Sequence, residues 1–489
     1  MLKILKTASY FSLSQIVSGA VNLVVTLLYA KNIPTADYGK ISVLSLCFLI
    51  GSILVDSKLA TAFSVKREKR LIDNQKGMLL TILVYYLAIT SILFLFGLSG
   101  IVDRFVMFKI DFGDWFFICL YIFLFNLSNL FSNVLVLEQR GAFYFLVKII
   151  WNLAFGVSAY ILVSIRPRDI MGFFYANIFG YFVSGCVLIF GVYRKMGPGH
   201  SLSSWLELKE LVRLSGPLTI GAILSIALAW SDRYAISALL GLSATGIYAF
   251  AYRLSDVLNS VFMMPIGQAI SPRMVKQFCA SKYNYSEYLD MLLKLYLGAG
   301  WIVIVVYQLV LEICFVNWFP DKYSDSKNLV TVFLVGSLVY SVSNLIGLVF
   351  IADERPRVPN VISFLTLLVS AFVSCVLIKI FGLLGGAVSI VVAYLINLTA
   401  IILSVRIQYR LCLKLRKVFT IGVVGAVIGC HNLFLLHKYS SLIYGFGVSV
   451  LSIGLYGFWI SRILIESKIL GWPISTAKVL GGKQGSELC

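Results

Sequence analysis

The stretch Arg213–Asp256 reads RLSGPLTIGAILSIALAWSDRYAISALLGLSATGIYAFAYRLSD. It holds two long apolar segments joined by a few small residues, and each is about as long as a bilayer is thick, since roughly 20 helical residues span ~30 Å. Four charged residues lie inside these segments: Asp232, Arg233, Arg253 and Asp256. A charge at membrane depth costs on the order of 2.5–3.5 kcal/mol, so it usually faces a protein interior or a watery cavity. The stretch predicts membrane spans with a charged internal path.

The composition of the whole chain agrees with this reading. Of its 489 residues, 60% are hydrophobic and only 13% are charged, which excludes a soluble fold. The net charge of +19 could indicate a nucleic-acid partner, but such a protein needs a basic face on a soluble domain. We therefore expect no nucleic acid as partner, and we assign the excess of Lys and Arg to cytoplasmic loops.

Apolar runs bounded by charges or turn residues predict about 14 transmembrane helices in an all-α polytopic membrane protein. The first run follows MLKILK, is too long for a signal peptide and lacks a small-residue cleavage site, so we expect it to remain as a span. The predicted spans are 8–31, 40–63, 77–100, 115–137, 142–165, 170–193, 214–240, 246–271, 289–316, 329–352, 358–381, 384–407, 418–436 and 442–465.

Clusters of Lys and Arg predict which loops face the cytoplasm, and the order of the spans predicts the domains. The segments 66–76 and 406–417 are rich in Lys and Arg, so both are predicted to be cytoplasmic, and both termini with them. Four parts follow along the chain. They are an N-terminal six-helix bundle at 1–195, a cytoplasmic amphipathic linker at 196–212, a C-terminal six-helix bundle at 213–410, and two extra transmembrane helices with a cytoplasmic tail at 411–489.

A faint internal repeat relates the two bundles. Ile33–Gly39 (IPTADYG) between the first two spans matches Leu240–Gly246 (LGLSATG), 207 residues later, between spans 7 and 8. Glu138–Arg140 corresponds at a similar offset to Glu354 and Arg355. Because each half holds an even number of helices, both halves run in the same direction. This predicts a parallel repeat about an axis along the membrane normal, with a binding site between the halves.

Three motifs resemble a known family. They are LYAK with DYG around the first hairpin, AFAYRL at Ala249–Leu254, and GLLGGA at Gly382–Ala387. Together they resemble the bacterial polysaccharide transporters, including the O-antigen flippases, of the multidrug, oligosaccharidyl-lipid and polysaccharide exporter superfamily. The resemblance covers about residues 1–410. The two extra helices depart from the twelve-helix pattern of O-antigen flippases and are similar to those of the lipid II flippase, where they flank a groove for the lipid tail.

Intramembrane charges are the candidate site residues. The expected substrate-binding cations are Arg233, Arg253, Lys58, Lys148 and Lys294, and the expected ion-coupling acids are Asp56, Asp232 and Asp256. The excess of positive charge suits an anion, and Arg in particular forms bidentate hydrogen bonds with phosphate oxygens. A polyprenyl-diphosphate-linked glycan fits this pattern, with the diphosphate on the cations and the sugars on aromatic and polar walls.

Structural readings of the same charges remain open. Arg253 and Asp256 are three residues apart on one helix and can pair with each other. Lys148 and Lys294 lie within two turns of the cytoplasmic end, where extension of the side chain to the headgroups is favoured. Asp56 and Lys58 are expected to point to opposite sides of a helix, so they are poorly placed to form an ion pair with each other. The same holds for the adjacent residues Asp232 and Arg233. Arg233 is the cation that we most expect to face a cavity.

The predicted function is therefore that of a flippase. It moves an undecaprenyl-diphosphate-linked oligosaccharide from the cytoplasmic to the outer leaflet of the bacterial inner membrane by alternating access. The sequence lacks phosphate-binding loops, H-E-x-x-H and cysteine metal spacing, so we expect neither an enzyme nor a cofactor or metal, and H⁺ or Na⁺ coupling or the membrane potential would supply the energy. The resemblance implies membrane lipids, a polysaccharide polymerase and a chain-length regulator as partners.

Three alternative functions remain open. A lipid II flippase would carry a related substrate. A multidrug exporter of the same superfamily would take cationic substrates, which a cationic cavity disfavours. A membrane enzyme of the same pathway would show a long outer loop with Arg or His residues, which the predicted topology lacks.

Overall fold

The computed structural model describes residues 2–68, 75–106, 108–138, 140–193, 205–260, 274, 282–353, 355, 357–409, 420–425, 427, 454, 456 and 457. These residues are almost entirely helical and contain no strand. The helices are α1 (Leu2–Asn32), α2 (Thr35–Asp56), α3 (Leu59–Glu68), α4 (Gln75–Leu98), α5 (Ile101–Val106), α6 (Phe112–Leu137), α7 (Gly141–Ile165), α8 (Gly172–Tyr193), α9 (Trp205–Leu240), α10 (Leu242–Leu258), α11 (Lys282–Asn317), α12 (Ser326–Ala352), α13 (Arg357–Phe381) and α14 (Leu383–Tyr409).

Eleven helical segments of the described chain are long and apolar enough to cross a membrane. They coincide with the predicted spans 1 to 7 and 9 to 12. The all-α polytopic class is therefore confirmed. The predicted span 246–271 begins in α10, and its residues after 260 lie outside the described part. The two C-terminal spans, 418–436 and 442–465, also lie largely outside the described residues.

The second predicted span, 40–63, is interrupted in the structure. Ser57 and Lys58 adopt left-handed backbone angles, with φ of 44° and 54°, so α2 ends at Asp56 and α3 begins at Leu59. Asp56 compensates for the break. Its carboxylate accepts hydrogen bonds from the Tyr86 hydroxyl at 2.5 Å and from the backbone N–H of Ala60 at 3.3 Å, near the start of α3. The hydrophobic pattern missed this break because both sides of it are apolar.

The chain folds into two compact units, each built from segments that are distant in sequence. Unit 1 comprises Met1–Pro265, Phe319–Phe333 and Pro356–Ala393, and unit 2 comprises Ile266–Trp318, Leu334–Arg355 and Tyr394–Cys489. The predicted linker at 196–212 is described from residue 205 onward, where it forms the first turns of α9. The division into bundles at 1–195 and 213–410 stays a prediction.

Within unit 1, the two repeated stretches lie against each other. A Cβ atom on Gly39 would stand 2.0 Å from the carbonyl oxygen of Leu242, and one on Gly246 would stand 1.9 Å from that of Thr35. The Thr35 and Ser243 hydroxyls are 2.7 Å apart and share a hydrogen bond. Each glycine thus contacts the other stretch in the same way, as expected for segments related by a repeat axis. Only glycine permits this approach of α2 and α10.

Unit 2 contains buried polar pairs between its helices. The Ser343 hydroxyl on α12 donates to the carboxamide oxygen of Asn397 on α14 at 2.8 Å, and the rings of Tyr340 and Tyr394 lie 4.7 Å apart on the same two helices. Hydrogen bonds between helices satisfy polar side chains that lipid cannot.

Candidate functional site

A cavity of about 360 Å³ lies within unit 1. Its walls come from α1, α2, α6, α7, α8, α9 and α10, and the lining includes Tyr38 and Ala249, which are close in sequence to Gly39 and Gly246. The cavity therefore extends from the tight contact of α2 with α10 into the interior of the unit. Its volume falls at the lower end of the roughly 300–1,000 Å³ that is common for ligand pockets.

Charge is confined to one wall of this cavity. Among the lining residues in the described part of the chain, only Arg233, Arg253 and Asp256 are charged, and they lie on α9 and α10. The remaining lining residues are aromatic, apolar, hydroxyl or amide side chains. We call the surface formed by Trp230, Arg233, Tyr252, Arg253 and Asp256 the charged wall.

Arg233 is the most unusual residue of the charged wall. Its guanidinium carbon lies 3.6 Å from the ring centre of Trp230 and 3.8 Å from that of Tyr252, so an aromatic ring covers each planar face. Trp230 is three residues before Arg233 on α9 and therefore shares its side of the helix, whereas Tyr252 comes from α10. Cation–π contacts of this kind favour the charged form and fix the plane of the guanidinium.

The edge of the Arg233 guanidinium remains without a partner. Arg233 is 3% exposed, and its Nε and Nη2 atoms are buried without a hydrogen bond in the described structure. The adjacent Asp232 carboxylate accepts a hydrogen bond from the Arg233 backbone N–H, but it makes no ion pair with the Arg233 guanidinium in the described structure. Buried N–H groups of a cation that have no hydrogen-bond acceptor carry a free-energy cost. Because both faces and this edge are covered, an anion can contact Nε and Nη2 only after neighbouring side chains move, and then only in the plane of the N–H groups. A planar edge of this kind matches the bidentate binding of phosphate or carboxylate.

Arg253 and Asp256 both line the cavity but do not pair with each other. The structure contains no ion pair between these two described side chains, although they are three residues apart on α10. Asp256 accepts a hydrogen bond from the side-chain amide of Asn259 at 3.4 Å. The Arg253 side chain makes no hydrogen bond or ion pair with a residue that the structure describes, and it lines the cavity, so its guanidinium is available to a ligand.

Asp232 lies outside the cavity lining, with 1% of its surface exposed. Its carboxylate accepts a short hydrogen bond from the Tyr248 hydroxyl and another from the backbone N–H of Arg233 at 2.8 Å. The Asp232 and Arg233 side chains form no ion pair in the described structure. Asp232 is therefore a buried acid next to the charged wall, and its proposed role in ion coupling stays a prediction.

The predicted cations Lys58 and Lys148 do not line the cavity. Lys58 lies in the break between α2 and α3, and its side chain makes no hydrogen bond or ion pair with a residue that the structure describes. The Lys148 ammonium lies 5.7 Å from the ring centres of both Tyr144 and Trp151, and Trp151 does line the cavity. Asp56 caps the break at α3, also away from the cavity.

Lys294 is the one predicted cation of this set that forms an ion pair in the described structure. It lies in unit 2 on α11, is 5% exposed, and its ammonium is 2.5 Å from the carboxylate of Asp290, one turn earlier. The sequence-based expectation that Lys294 extends to the headgroups overlooked this partner. The spacing of four residues, with the acid before the base, was the signal that could have found it.

The comparisons with known proteins agree with this architecture. The sequence pattern of the family described as "Polysaccharide biosynthesis protein" matches residues 4–278, more than half of the chain. The chain belongs to this family. It is also 25% identical, over 186 residues, to a protein of Shigella flexneri named "Putative O-antigen transporter". That match covers 37% of this chain and 43% of the Shigella protein, so the chain matches less than half the length of this relative.

Solved structures establish the fold. The chain is similar to the lipid II flippase MurJ in an inward closed conformation, with a TM-score of 0.72, 12% identity, and coverage of 93% of this chain and 99% of MurJ. It is also similar to the multidrug transporter DinF-BH, with a TM-score of 0.60, 15% identity, and coverage of 86% and 96%. At these identities the likeness shows the fold alone. The chain thus shares the fold of these two solved structures.

Proposed function

We propose that this protein is a flippase for an undecaprenyl-diphosphate-linked oligosaccharide, such as an O-antigen or another surface-polysaccharide repeat unit. It moves the lipid-linked glycan from the cytoplasmic to the outer leaflet of the bacterial inner membrane. The observation that carries the proposal is the unpartnered guanidinium edge of Arg233 in a membrane-embedded cavity of a polysaccharide biosynthesis protein. The diphosphate is the counter-ion that this edge lacks.

The charged wall favours a diphosphate over the other anions of a glycan. Arg233 and Arg253 line the same cavity, and neither forms an ion pair in the described structure, although Asp256 lines the cavity and Asp232 adjoins Arg233. Two guanidinium groups can bind two phosphates with charge-assisted hydrogen bonds, each worth about 1.5–3 kcal/mol. The apolar polyprenyl tail has no need to enter a polar cavity and stays in the lipid. Alternating access of the two halves would then expose the diphosphate and sugars to each side in turn.

The membrane potential can contribute to the outward step. Moving one negative charge outward across an inside-negative membrane is favourable by about 2.3 kcal/mol per 100 mV. Coupling to H⁺ or Na⁺ is the other source of energy. Asp256 lies on the charged wall and Asp232 is buried beside it, so these two acids are the first candidates, whereas Asp56 is engaged at the helix break.

Two related functions remain as alternatives. The likeness to MurJ is compatible with lipid II as the substrate, since lipid II also carries a polyprenyl diphosphate. The likeness to DinF-BH is compatible with drug export, but a cavity with two unpaired Arg residues disfavours cationic drugs. The O-antigen transporter relative favours the polysaccharide substrate. Both termini in the cytoplasm, and a polymerase and a chain-length regulator as partners, belong to the same proposal.

Transfer of a labelled undecaprenyl-diphosphate oligosaccharide across proteoliposomes tests the proposal. The wild-type protein should transfer the lipid, and Arg233→Gln should lose most of the transfer while remaining folded. Lys58→Gln is the matched control, because it removes a cation of the same unit that does not line the cavity. Failure of the folded wild-type protein to transfer this lipid, together with export of a cationic dye, would replace the proposal with the multidrug alternative.

A further inference from the structure

The wall that faces the charged wall consists of neutral groups. It is formed by α1, α2, α6, α7 and α8, and none of the lining residues that the structure describes on it carries a charge. We call it the neutral wall. It is lined by Asn22, Thr26, Ser42, Ser45, Tyr121, Trp151, Asn177 and Tyr181, with several further aromatic residues. Amides, hydroxyls and aromatic rings together are the groups with which proteins bind uncharged polar molecules.

The aromatic side chains of the neutral wall are held rigidly. The rings of Phe48 and Tyr121 stack at 3.9 Å with an angle of 8°, and Tyr181 lies 5.8 Å from Tyr121 and 5.2 Å from Trp151. Gly180 leaves space for the Trp151 indole, whose nitrogen lies 3.1 Å from the position of a Cβ atom on that glycine. A preorganised aromatic surface binds a ligand at lower entropic cost than a flexible one.

Two amides on the neutral wall have free hydrogen-bonding groups. The Asn177 amide donates to the Phe173 carbonyl at 2.8 Å, which leaves its carboxamide oxygen as an acceptor on the cavity side of α8. Asn22 on α1 lines the cavity with an exposed side chain that bonds to no described residue. Amide groups can both donate to and accept from sugar hydroxyls and acetamido groups.

We propose that the neutral wall binds the sugar attached to the diphosphate, and that this sugar is uncharged. The inference rests on the proposed function. Residues of both walls line one cavity of about 360 Å³, so one ligand can contact both. The carboxylate of an acidic sugar would find no counter-ion on the neutral wall, and an unpaired charge in such a site is strongly unfavourable. Lys148 approaches Trp151 but is not part of the lining.

Equilibrium binding with three matched lipids tests this inference. The lipids are undecaprenyl diphosphate without sugar, with one N-acetylglucosamine and with one glucuronic acid. The wild-type protein should bind the N-acetylglucosamine lipid about tenfold more tightly than the sugar-free lipid, the equivalent of about one to two hydrogen bonds. The glucuronic acid lipid should bind no more tightly than the sugar-free lipid.

Two variants of the neutral wall sharpen the test. Asn177→Ala should weaken binding of the N-acetylglucosamine lipid by about fivefold and leave the sugar-free lipid unchanged, which also shows that the variant is folded. Asn22→Lys supplies a counter-ion and should raise the affinity for the glucuronic acid lipid by up to about fivefold. Arg233→Gln should lower the affinity for all three lipids by the same factor, because Arg233 contacts the diphosphate that all three share.

Equal affinity of the wild-type protein for all three lipids would overturn the neutral-wall inference and leave the proposed function intact. Preference for the glucuronic acid lipid that disappears in Lys148→Gln would also overturn it, since Lys148 would then be the counter-ion. If none of the three lipids binds more tightly than uncharged undecaprenol, the proposed function fails and the inference fails with it.

Discussion

Arg233 and Lys294 are both buried cations, with exposed fractions of 3% and 5%, but they differ in their counter-ions. The Lys294 ammonium is 2.5 Å from Asp290 on the same helix. The Arg233 guanidinium has aromatic rings on both faces, and its Nε and Nη2 atoms have no partner in the described structure. Burial alone therefore does not distinguish a cation that stabilises the fold from one that is available to bind a ligand. The distinction is whether the protein itself supplies an ion-pair partner.

The two arrangements have different energetic consequences. Removing one member of a buried ion pair leaves the other uncompensated, which typically costs about 3–5 kcal/mol. Removing a buried cation that has no ion-pair partner also removes the free-energy cost of burying its charge, and this gain partly offsets the contacts that are lost with the side chain. In the proposed function, a ligand anion offsets that cost at Arg233 when it binds.

The largest expected effect is on stability, at Lys294. Lys294→Met should lower the free energy of unfolding by about 3–5 kcal/mol, because it leaves the Asp290 carboxylate buried without its cation. Arg233→Met should lower it by less, about 1–3 kcal/mol, because two cation–π contacts worth about 0.5–2 kcal/mol each are lost but no ion pair is broken. Unfolding of the purified protein in detergent measures both changes.

A second substitution serves as the control for this prediction. In the double variant Asp290→Asn with Lys294→Met, no unpaired charge remains, so most of the lost stability should return. If Arg233→Met destabilises the protein as much as Lys294→Met does, Arg233 has a structural partner and the contrast between the two cations is wrong.

Arg233→Lys should reduce transport by about 10- to 100-fold, the equivalent of one charge-assisted hydrogen bond. Lysine retains the positive charge but offers a single ammonium in place of the planar edge with two donors. Initial rates in proteoliposomes measure this effect. Transport at the wild-type rate would show that the cavity requires only a positive charge at this position.

A smaller effect is expected from the rings that hold Arg233. Trp230→Leu removes one cation–π contact worth about 0.5–2 kcal/mol and frees the guanidinium plane, so the affinity for the diphosphate lipid should fall by about fivefold. Tyr252→Phe keeps the second ring and should change the affinity by less than about twofold. A larger loss in Tyr252→Phe would mean that its hydroxyl group contacts the ligand directly.

The smallest effect is expected at Lys58. Lys58→Gln should change transport by less than about twofold, because its side chain lies in the break between α2 and α3, outside the cavity lining. The same transport assay measures it. A loss comparable to that of Arg233→Gln would show that Lys58 contacts the substrate at another stage of the cycle.

Sequence reasoning predicted the fold well because the bilayer imposes it. A span needs about 20 apolar residues, and this requirement is visible in α4, α7 and α13 without any tertiary information. The repeat of Ile33–Gly39 in Leu240–Gly246 was also visible, but the close contact of Gly39 with Gly246 was not. The break at Ser57 and Lys58 was missed because it depends on hydrogen bonds from α4, such as the one from Tyr86.

The candidate site was predicted only in part. Arg233, Arg253 and Asp256 line the cavity, and the sequence singled them out because charges in long apolar runs are rare, but their roles in binding and ion coupling stay predictions. The expectation treated Lys294 in the same way and overlooked Asp290 four residues before it. Tyr252 and the neutral wall come from different helices, so no local spacing indicates that they meet Arg233 in one cavity.

The central claim is that the missing counter-ion of Arg233 is the diphosphate of the substrate. Thermal unfolding with and without undecaprenyl diphosphate tests it most directly, because a ligand present at about 100 times its Kd stabilises the folded state by about 2.7 kcal/mol. We predict that the lipid raises the Tm of the wild-type protein and of Lys294→Met, which starts from a lower Tm, and leaves the Tm of Arg233→Gln unchanged. An equal rise in Arg233→Gln would contradict the claim.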